Sequence, residues 1–143
     1  MLNQNIKIAA DAMVFSGTGP GMQLLLIKRG NEPFKGMWAI PGGFVEDDED
    51  LEPAAIRELQ EETGLEVSQM KQLCTVGTPG RDPRGRTVSV VYYAFVDAGA
   101  QAVKGADDAA EAEWVLVKDI SQLAFDHMDV LRYALEHMQY PVS

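Results

Sequence analysis

Residues 43–65 read GFVEDDEDLEPAAIRELQEETGL, and this stretch decides the fold. Gly43 is followed after five residues by Glu49; seven more lead to Arg57-Glu58-Leu59, and Glu61-Glu62 and Gly64-Leu65 complete the pattern. Pro53 suits the first turn of a helix, where its missing N–H costs nothing, and any of Asp47, Asp48 or Asp50 can cap that turn. Gly64 supplies the stop, because only glycine enters the left-handed conformation cheaply. On the helix between, Glu58 stands three and four residues before Glu61 and Glu62, which puts three carboxylates on one face. Ile56, Leu59 and Thr63 point to another flank, where they can pack against a sheet.

Like charges at this spacing repel one another. Arg57 is the base among them and can pair with Glu61 or fold back to Glu49. Taken alone, a glutamate-rich helix reads as a solvated acidic face. The flanking pattern favours a cation instead, and oxygen-only ligands suit Mg²⁺ or Mn²⁺. The whole segment resembles the Nudix box, GX5EX7REUXEEXGU with U aliphatic, and every fixed position matches. That resemblance implies an α/β (α+β) Nudix fold, a mixed β-sheet sandwiched between helices with a loop–helix–loop that holds divalent metal. It also implies metal-dependent hydrolysis of a nucleoside diphosphate linked to another group. By position, Glu58, Glu61 and Glu62 take the metal-ligand roles, with the Gly42 carbonyl a further ligand, for about two or three Mg²⁺ or Mn²⁺ ions. Glu49 and Arg57 take the role of the supporting pair that orients them. The approach Trp38-Ala39-Ile40-Pro41-Gly42-Gly43 also resembles the family, and its glycines let backbone come close to metal and phosphate.

Working outward, Ile6 to Phe15 and Met22 to Arg29 read as a hairpin of two strands around the turn cluster of residues 16–21. The run Leu24-Leu25-Leu26-Ile27 is that of a strand buried on both faces. Glu66 to Gly77, Thr87 to Val96 and Trp114 to Val117 read as further strands, the second rich in β-branched and aromatic residues. Ala98 to Ala112 is small and acidic and reads as a flap. Asp126 is expected to cap a terminal helix with Met128, Leu131, Leu135 and Met138 at amphipathic spacing, ended by Pro141. A chain of 143 residues without internal repeats reads as one domain over 1–143.

Composition narrows the partners. An apolar content of 46% with 24% charged residues is that of a soluble globular protein. The formal charge of −10 opposes binding a nucleic-acid backbone, but not a small anionic substrate, because a bound cation changes the local sign. Cys74 stands alone, which leaves no internal disulfide and no cysteine metal cage. No stretch reaches membrane-span length. The start lacks a basic region and Asp11 interrupts its apolar run, so it does not read as a signal peptide. A cytoplasmic protein is expected, and the resemblance implies a homodimer.

The loop Arg81-Asp82-Pro83-Arg84-Gly85-Arg86 gathers three basic residues in an acidic chain. Arginine's planar fork suits diphosphate oxygens. With Thr87-Val88-Ser89, Asp107-Asp108-Ala109 and Phe125-Asp126-His127, this loop resembles the subgroup of ADP-ribose pyrophosphatases and the Nudix domains of certain NAD-metabolism regulators. Arg29, Trp38, Arg81, Arg84 and Arg86 are the expected substrate contacts, Trp38 as a stacking surface with a core position as its alternative. Glu111 is the expected general base, with Asp107 and Asp108 behind it. His127 is expected to be structural. The resemblance implies cleavage of ADP-ribose to AMP and ribose 5-phosphate. The alternatives are a pyrophosphohydrolase of normal or oxidised nucleoside triphosphates and a non-catalytic sensor of ADP-ribose or NAD metabolites.

Overall fold

Strand β1, Lys7–Ser16, is the line on which the other elements assemble. The computed structural model describes residues 4–97 and 109–141. After β1 come β2 (Gln23–Arg29), β3 (Trp38–Ala39), β4 (Gly42–Phe44), helix α1 (Leu51–Thr63), β5 (Lys71–Val76), β6 (Thr87–Phe95), β7 (Ala109–Leu116) and helix α2 (His127–His137). The sheet runs β3-β2-β1-β6-β5, with β4 paired to β1 and β7 to β2. It is mixed: β1 and β6 run parallel from Lys7↔Thr87 to Phe15↔Phe95, while the other pairings are antiparallel.

The β1–β2 hairpin pairs only at its turn end, Phe15↔Leu24 and Ser16↔Gln23. Beyond that the two strands diverge. β4 takes the vacated edge of β1, Ala9↔Phe44 to Asp11↔Gly42, and β3 takes that of β2, Ile27↔Ala39 and Lys28↔Trp38, while β7 runs along the other edge of β2. This splitting of the sheet opens the cleft described below.

Alternation along β1 sorts the two faces. Ala10, Ala12 and Val14 pack with Ala54, Ala55 and Leu59 of α1, together with Leu25 and Tyr92. Met13 and Phe15 pack on the opposite face with Leu24, Leu26, Val130, Leu131 and Ala134 of α2. The α1 interface is built from alanines on both sides, which lets the helix lie close to the sheet and brings its carboxylates onto β4. The α2 interface is filled by larger side chains.

Helix α1 begins at Asp50, whose carboxylate accepts from the Leu51 N–H at 2.7 Å, and ends at Gly64, which has φ 79° and donates to the Gln60 carbonyl. Glu52 accepts from the Met70 N–H at 2.8 Å, fastening the return from α1 to the sheet.

Three expectations need correction. The strand after α1 occupies Lys71–Val76 rather than starting at Glu66, because Glu52 holds the approach down. The last strand starts at Ala109 rather than Trp114, so the end of the expected flap is a strand beside β2; its part at 98–108 lies outside the described residues. Asp126 occupies the N-cap position of α2 but its side chain caps nothing, because it is bonded elsewhere. Among the described residues no helix is long and apolar enough to cross a membrane.

At Gly64 a Cβ would meet nothing within 4 Å, so only backbone strain opposes a side chain there. We predict that Gly64→Ala lowers unfolding stability by about 1–2 kcal/mol in a denaturant melt. An unchanged midpoint would mean that the helix stop is not held in the left-handed region.

Candidate active site

Arg57 organises the acidic face of α1. Its Nε and Nη2 donate to Glu49, the latter at 2.8 Å, and its Nη1 donates to Glu58 at 2.8 Å and to Glu61 at 3.1 Å. Nη2 also reaches the Phe44 carbonyl at 3.3 Å. One guanidinium thus ties three carboxylates of the motif to strand β4. Glu49 is held below its ordinary range by the Arg57 bond. Glu58 is pushed up by burial, against the pull of Arg57.

Glu62 is placed differently. It is 8% exposed and accepts from the Gly42 N–H at 2.8 Å. Burial pushes its carboxyl up to about 8, against the Gly42 bond. The two glycines of β4 leave room for this. A Cβ on Gly43 would come within 2.5 Å of the Glu58 carboxylate, and one on Gly42 would run into Asp11 Oδ1. Asp11 is 7% exposed; burial, opposed by Arg81, pushes it up to about 7.

Asp11, Gly42, Gly43, Glu58 and Glu62 line a cleft of about 400 Å³, together with Arg29, Phe44, Arg81, Asp82, Arg84, Ser89, Phe125 and His127. Arg29 and Arg84 both stack on Phe125, at 5.0 and 5.5 Å from the ring centre, and Arg84 also lies 5.2 Å from that of Phe44. Phe125 has φ 54°, an uncommon backbone for a large side chain, and it meets Phe34 edge-on at 4.7 Å. The cleft therefore joins an acidic part to a part made of arginines on aromatic faces.

The three loop arginines differ. Arg81 lines the cleft, but its guanidinium grips both oxygens of Asp126 at 2.8 Å and donates to Ser89 Oγ at 2.8 Å. Arg84 is paired with Asp82 at 2.8 Å and keeps 42% of its side chain exposed. Arg86 does not line the cleft. Nor does Trp38, which packs against the core on the α2 side. Glu49, Arg57 and Glu61 stand beside the cleft rather than in its lining. Glu111 lies outside the lining as well, on β7 opposite Lys28, with 3.8 Å between their charges. Asp107 and Asp108 fall outside the described residues. His127 is buried, and its Nδ1 accepts from the Ile40 N–H at 3.0 Å. Burial holds its pKa down to about 4, so the ring is neutral and acts as a latch.

Sequence reasoning missed Asp11 and Phe44, and quoted Asp82 and Phe125 within their motifs without giving either a role of its own. Asp11 offered a signal, an acid in the middle of the apolar run Ile8-Ala9-Ala10-Asp11-Ala12-Met13-Val14-Phe15.

The donor set fits a hard cation: Glu58, Glu62 and the peptide at Gly42 offer oxygens at one corner. Among the described residues, however, no three acidic, histidine or cysteine side chains converge closely enough to hold an ion as they stand. The reason is Arg57, which draws Glu58 and Glu61 to itself. A cation at this corner would take Glu58 from Arg57.

Comparison with known proteins bears on this corner. A family profile described as NUDIX domain matches residues 6–137. The chain is similar to the ADP-ribose pyrophosphatase of Methanocaldococcus jannaschii, 47% identical over 77% of this chain and 64% of that protein. It is also similar to the ADPR responsive transcriptional repressor NtrR of Acinetobacter baylyi, 37% identical over 92% of this chain and 54% of that protein. The chain thus spans between half and two thirds of the length of these relatives. Among solved structures, the NUDIX domain of Shewanella oneidensis NrtR complexed with ADP ribose superposes with a TM-score of 0.85 at 34% identity, over 94% of this chain and 89% of that one.

Two predictions follow from the charges. Glu62 and Asp11 have folded pKa values raised above 4.5 and 3.8, to about 8 and about 7. The folded state holds their protons more tightly, so their contribution is complete at low pH and is lost as pH rises through the folded values. Metal-stripped protein is expected to lose melting temperature between pH 5 and pH 8, the window set by these values, and millimolar Mg²⁺ is expected to restore it at the alkaline end. A melting temperature that rises across that window without metal would contradict this. Separately, Arg81→Ala leaves Asp126 unpaired and is expected to cost about 3 kcal/mol of stability. Arg84→Ala is expected to cost clearly less, its side chain being substantially exposed. Equal losses in chemical denaturation would refute the distinction.

Proposed function

The chain belongs to the Nudix family, and from that premise we propose that it hydrolyses the pyrophosphate bond of a nucleoside diphosphate linked to another group, with ADP-ribose as preferred substrate and AMP and ribose 5-phosphate as products. The observation that carries this reading is the meeting, in one cleft, of Glu58, Glu62 and Gly42 with Arg29 and Arg84. A diphosphate needs both: oxygen ligands for the cations that neutralise it, and forked donors for oxygens the cations leave uncovered. The similar proteins named for ADP-ribose support that substrate over nucleoside triphosphates.

Glu58, Glu61, Glu62 and the Gly42 carbonyl would hold Mg²⁺ or Mn²⁺, about two or three ions, which when bound supply charge neutralisation and an activated water. Glu49 and Arg57 keep the glutamates oriented and release Glu58 to the site. Arg84, seated on two aromatic rings, presents donors to the diphosphate at little entropic cost, and Arg29 joins it across Phe125. Arg81 holds the loop that carries Arg84. Glu111 would accept the proton; its pair with Lys28 lies between exposed side chains, 38% and 49%, is worth at most about 1 kcal/mol, and does not hold it away. A homodimer and a cytoplasmic location belong to the same proposal, the first open to light scattering.

A sensing role is the second reading, favoured by similarity to a protein named as an ADPR-responsive repressor. A substrate panel separates the readings: ADP-ribose, NADH, dinucleoside polyphosphates, and normal and oxidised nucleoside triphosphates, each with Mg²⁺. ADP-ribose is expected to give the highest kcat/KM. Glu58→Gln and Glu62→Gln are each expected to lower kcat by at least about a hundredfold, and Glu61→Gln by less. Arg84→Ala is expected to act chiefly through KM. Binding of ADP-ribose without turnover would establish the sensor, and wild-type rates in both glutamine variants would reduce the helix to an acidic surface.

A further inference from the structure

We propose that Asp11 is a positioning residue of this metal corner, a carboxylate supplied from the opposite face of the sheet that strengthens divalent-cation binding through Gly42. The proposal rests on the metal-dependent reading above. Asp11 lies directly opposite Gly42 in the β1–β4 pairing. Its side chain alternates with Ala10 and Ala12 and so points to the α2 face, whereas Glu58 and Glu62 arrive from α1 on the other. The two sets of carboxylates would be separated by the sheet if β4 carried ordinary side chains. At Gly42 there is none, and the Asp11 carboxylate occupies the space a Cβ would fill. The same glycine donates its N–H to Glu62. Gly42 is thus held between an aspartate on one side and a glutamate on the other.

Among the described residues the Asp11 carboxylate has no counter-ion of its own. It accepts a hydrogen bond from Ser89, and Ser89 Oγ in turn accepts from Arg81. Arg81 is already matched by Asp126, which takes two of its donors. A buried carboxylate left in this state is costly. Asparagine has the same shape and would keep the Ser89 bond without the charge. What the charge adds, and an amide cannot, is attraction for a cation at the corner that Gly42 shares with Glu62. Groups placed behind metal ligands in this way shift metal affinity by about ten- to a hundredfold.

The test is Asp11→Asn, with Mn²⁺ binding to metal-stripped protein followed by titration calorimetry without substrate, alongside thermal melting. Wild-type protein is expected to bind Mn²⁺, and the variant to bind it about ten- to a hundredfold more weakly. The melting temperature of the metal-stripped variant is expected to equal or exceed that of wild type, because a buried charge has gone. These opposite signs mark a charge role; a packing role would lower both quantities together. Asp11→Ser, which is smaller and keeps a hydroxyl for Ser89, is expected to show the same weakened binding and covers the case in which the asparagine variant does not fold. Affinity within about twofold of wild type in a folded variant, or weaker binding accompanied by a lower metal-free melting temperature in both variants, overturns the role of Asp11. Wild-type protein that binds no Mn²⁺ at millimolar concentration overturns the metal-dependent reading itself, and this proposal with it.

Discussion

Close approach at Gly42 and Gly43 is the constraint on which the rest depends. Helix α1 and strand β1 each send a carboxylate to β4, and neither could arrive if that strand carried a Cβ at these positions. The alanines at the α1 interface serve the same end, since larger side chains would lift the helix and carry Glu58 and Glu62 away from the glycines. Packing and chemistry are therefore set by the same small residues. On the α2 face β1 carries Met13 and Phe15 instead, where nothing needs to come so near.

The proximity creates an electrostatic problem that Arg57 answers only in part. It bonds to the outer carboxylates, Glu49, Glu58 and Glu61, one positive charge among three acids, and anchors them to the Phe44 carbonyl. It does not bond to Glu62 or Asp11. Those two sit deeper, where burial pushes both pKa values well above the carboxylate range. An isolated buried carboxylate is pushed towards taking up a proton, and Glu62 and Asp11, on either side of one glycine, are both pushed that way. A divalent cation offers the alternative of keeping both charged. Proton and cation compete for the same oxygens, which couples the stability of this corner to both.

Much of this was legible in the sequence, for physical reasons that differ from element to element. Helix α1, its glycine stop and its acidic face follow from spacing alone, because i, i+3 and i+4 neighbours are fixed by helical geometry. β1, β2 and β6 could be read from apolar runs and β-branched content. The pairing could not: β1 bonds to β6 across some eighty positions of sequence, from Lys7↔Thr87 onward, and nothing local encodes that partner. The loop arginines show the same limit. Composition placed three cations together, but it could not distinguish Arg81, closed in by Asp126 from an element far along the chain, from Arg84, exposed over the cleft. Asp11 was visible only as an interruption of an apolar run, because its meaning lies in the glycine opposite.

The tripeptide Phe125-Asp126-His127 carries that limit furthest. Asp126 stands where a capping residue belongs, and as a cap it would satisfy a backbone N–H of α2. Its carboxylate instead goes to Arg81, and the first turn of α2 forgoes the side-chain cap. His127, at the first helical position, reaches the other way and accepts from Ile40, just before the glycines of β4. Phe125 holds a left-handed backbone, which costs about 1–2 kcal/mol, and its ring meets Phe34, Arg29 and Arg84. Three consecutive side chains thus leave in three directions, to the loop, to the approach of β4 and to the arginines of the cleft. A residue that simply capped the helix or relaxed its backbone would release one of those three. The start of α2 accepts a missing cap and a strained φ because it joins the acidic and the basic parts of one cleft.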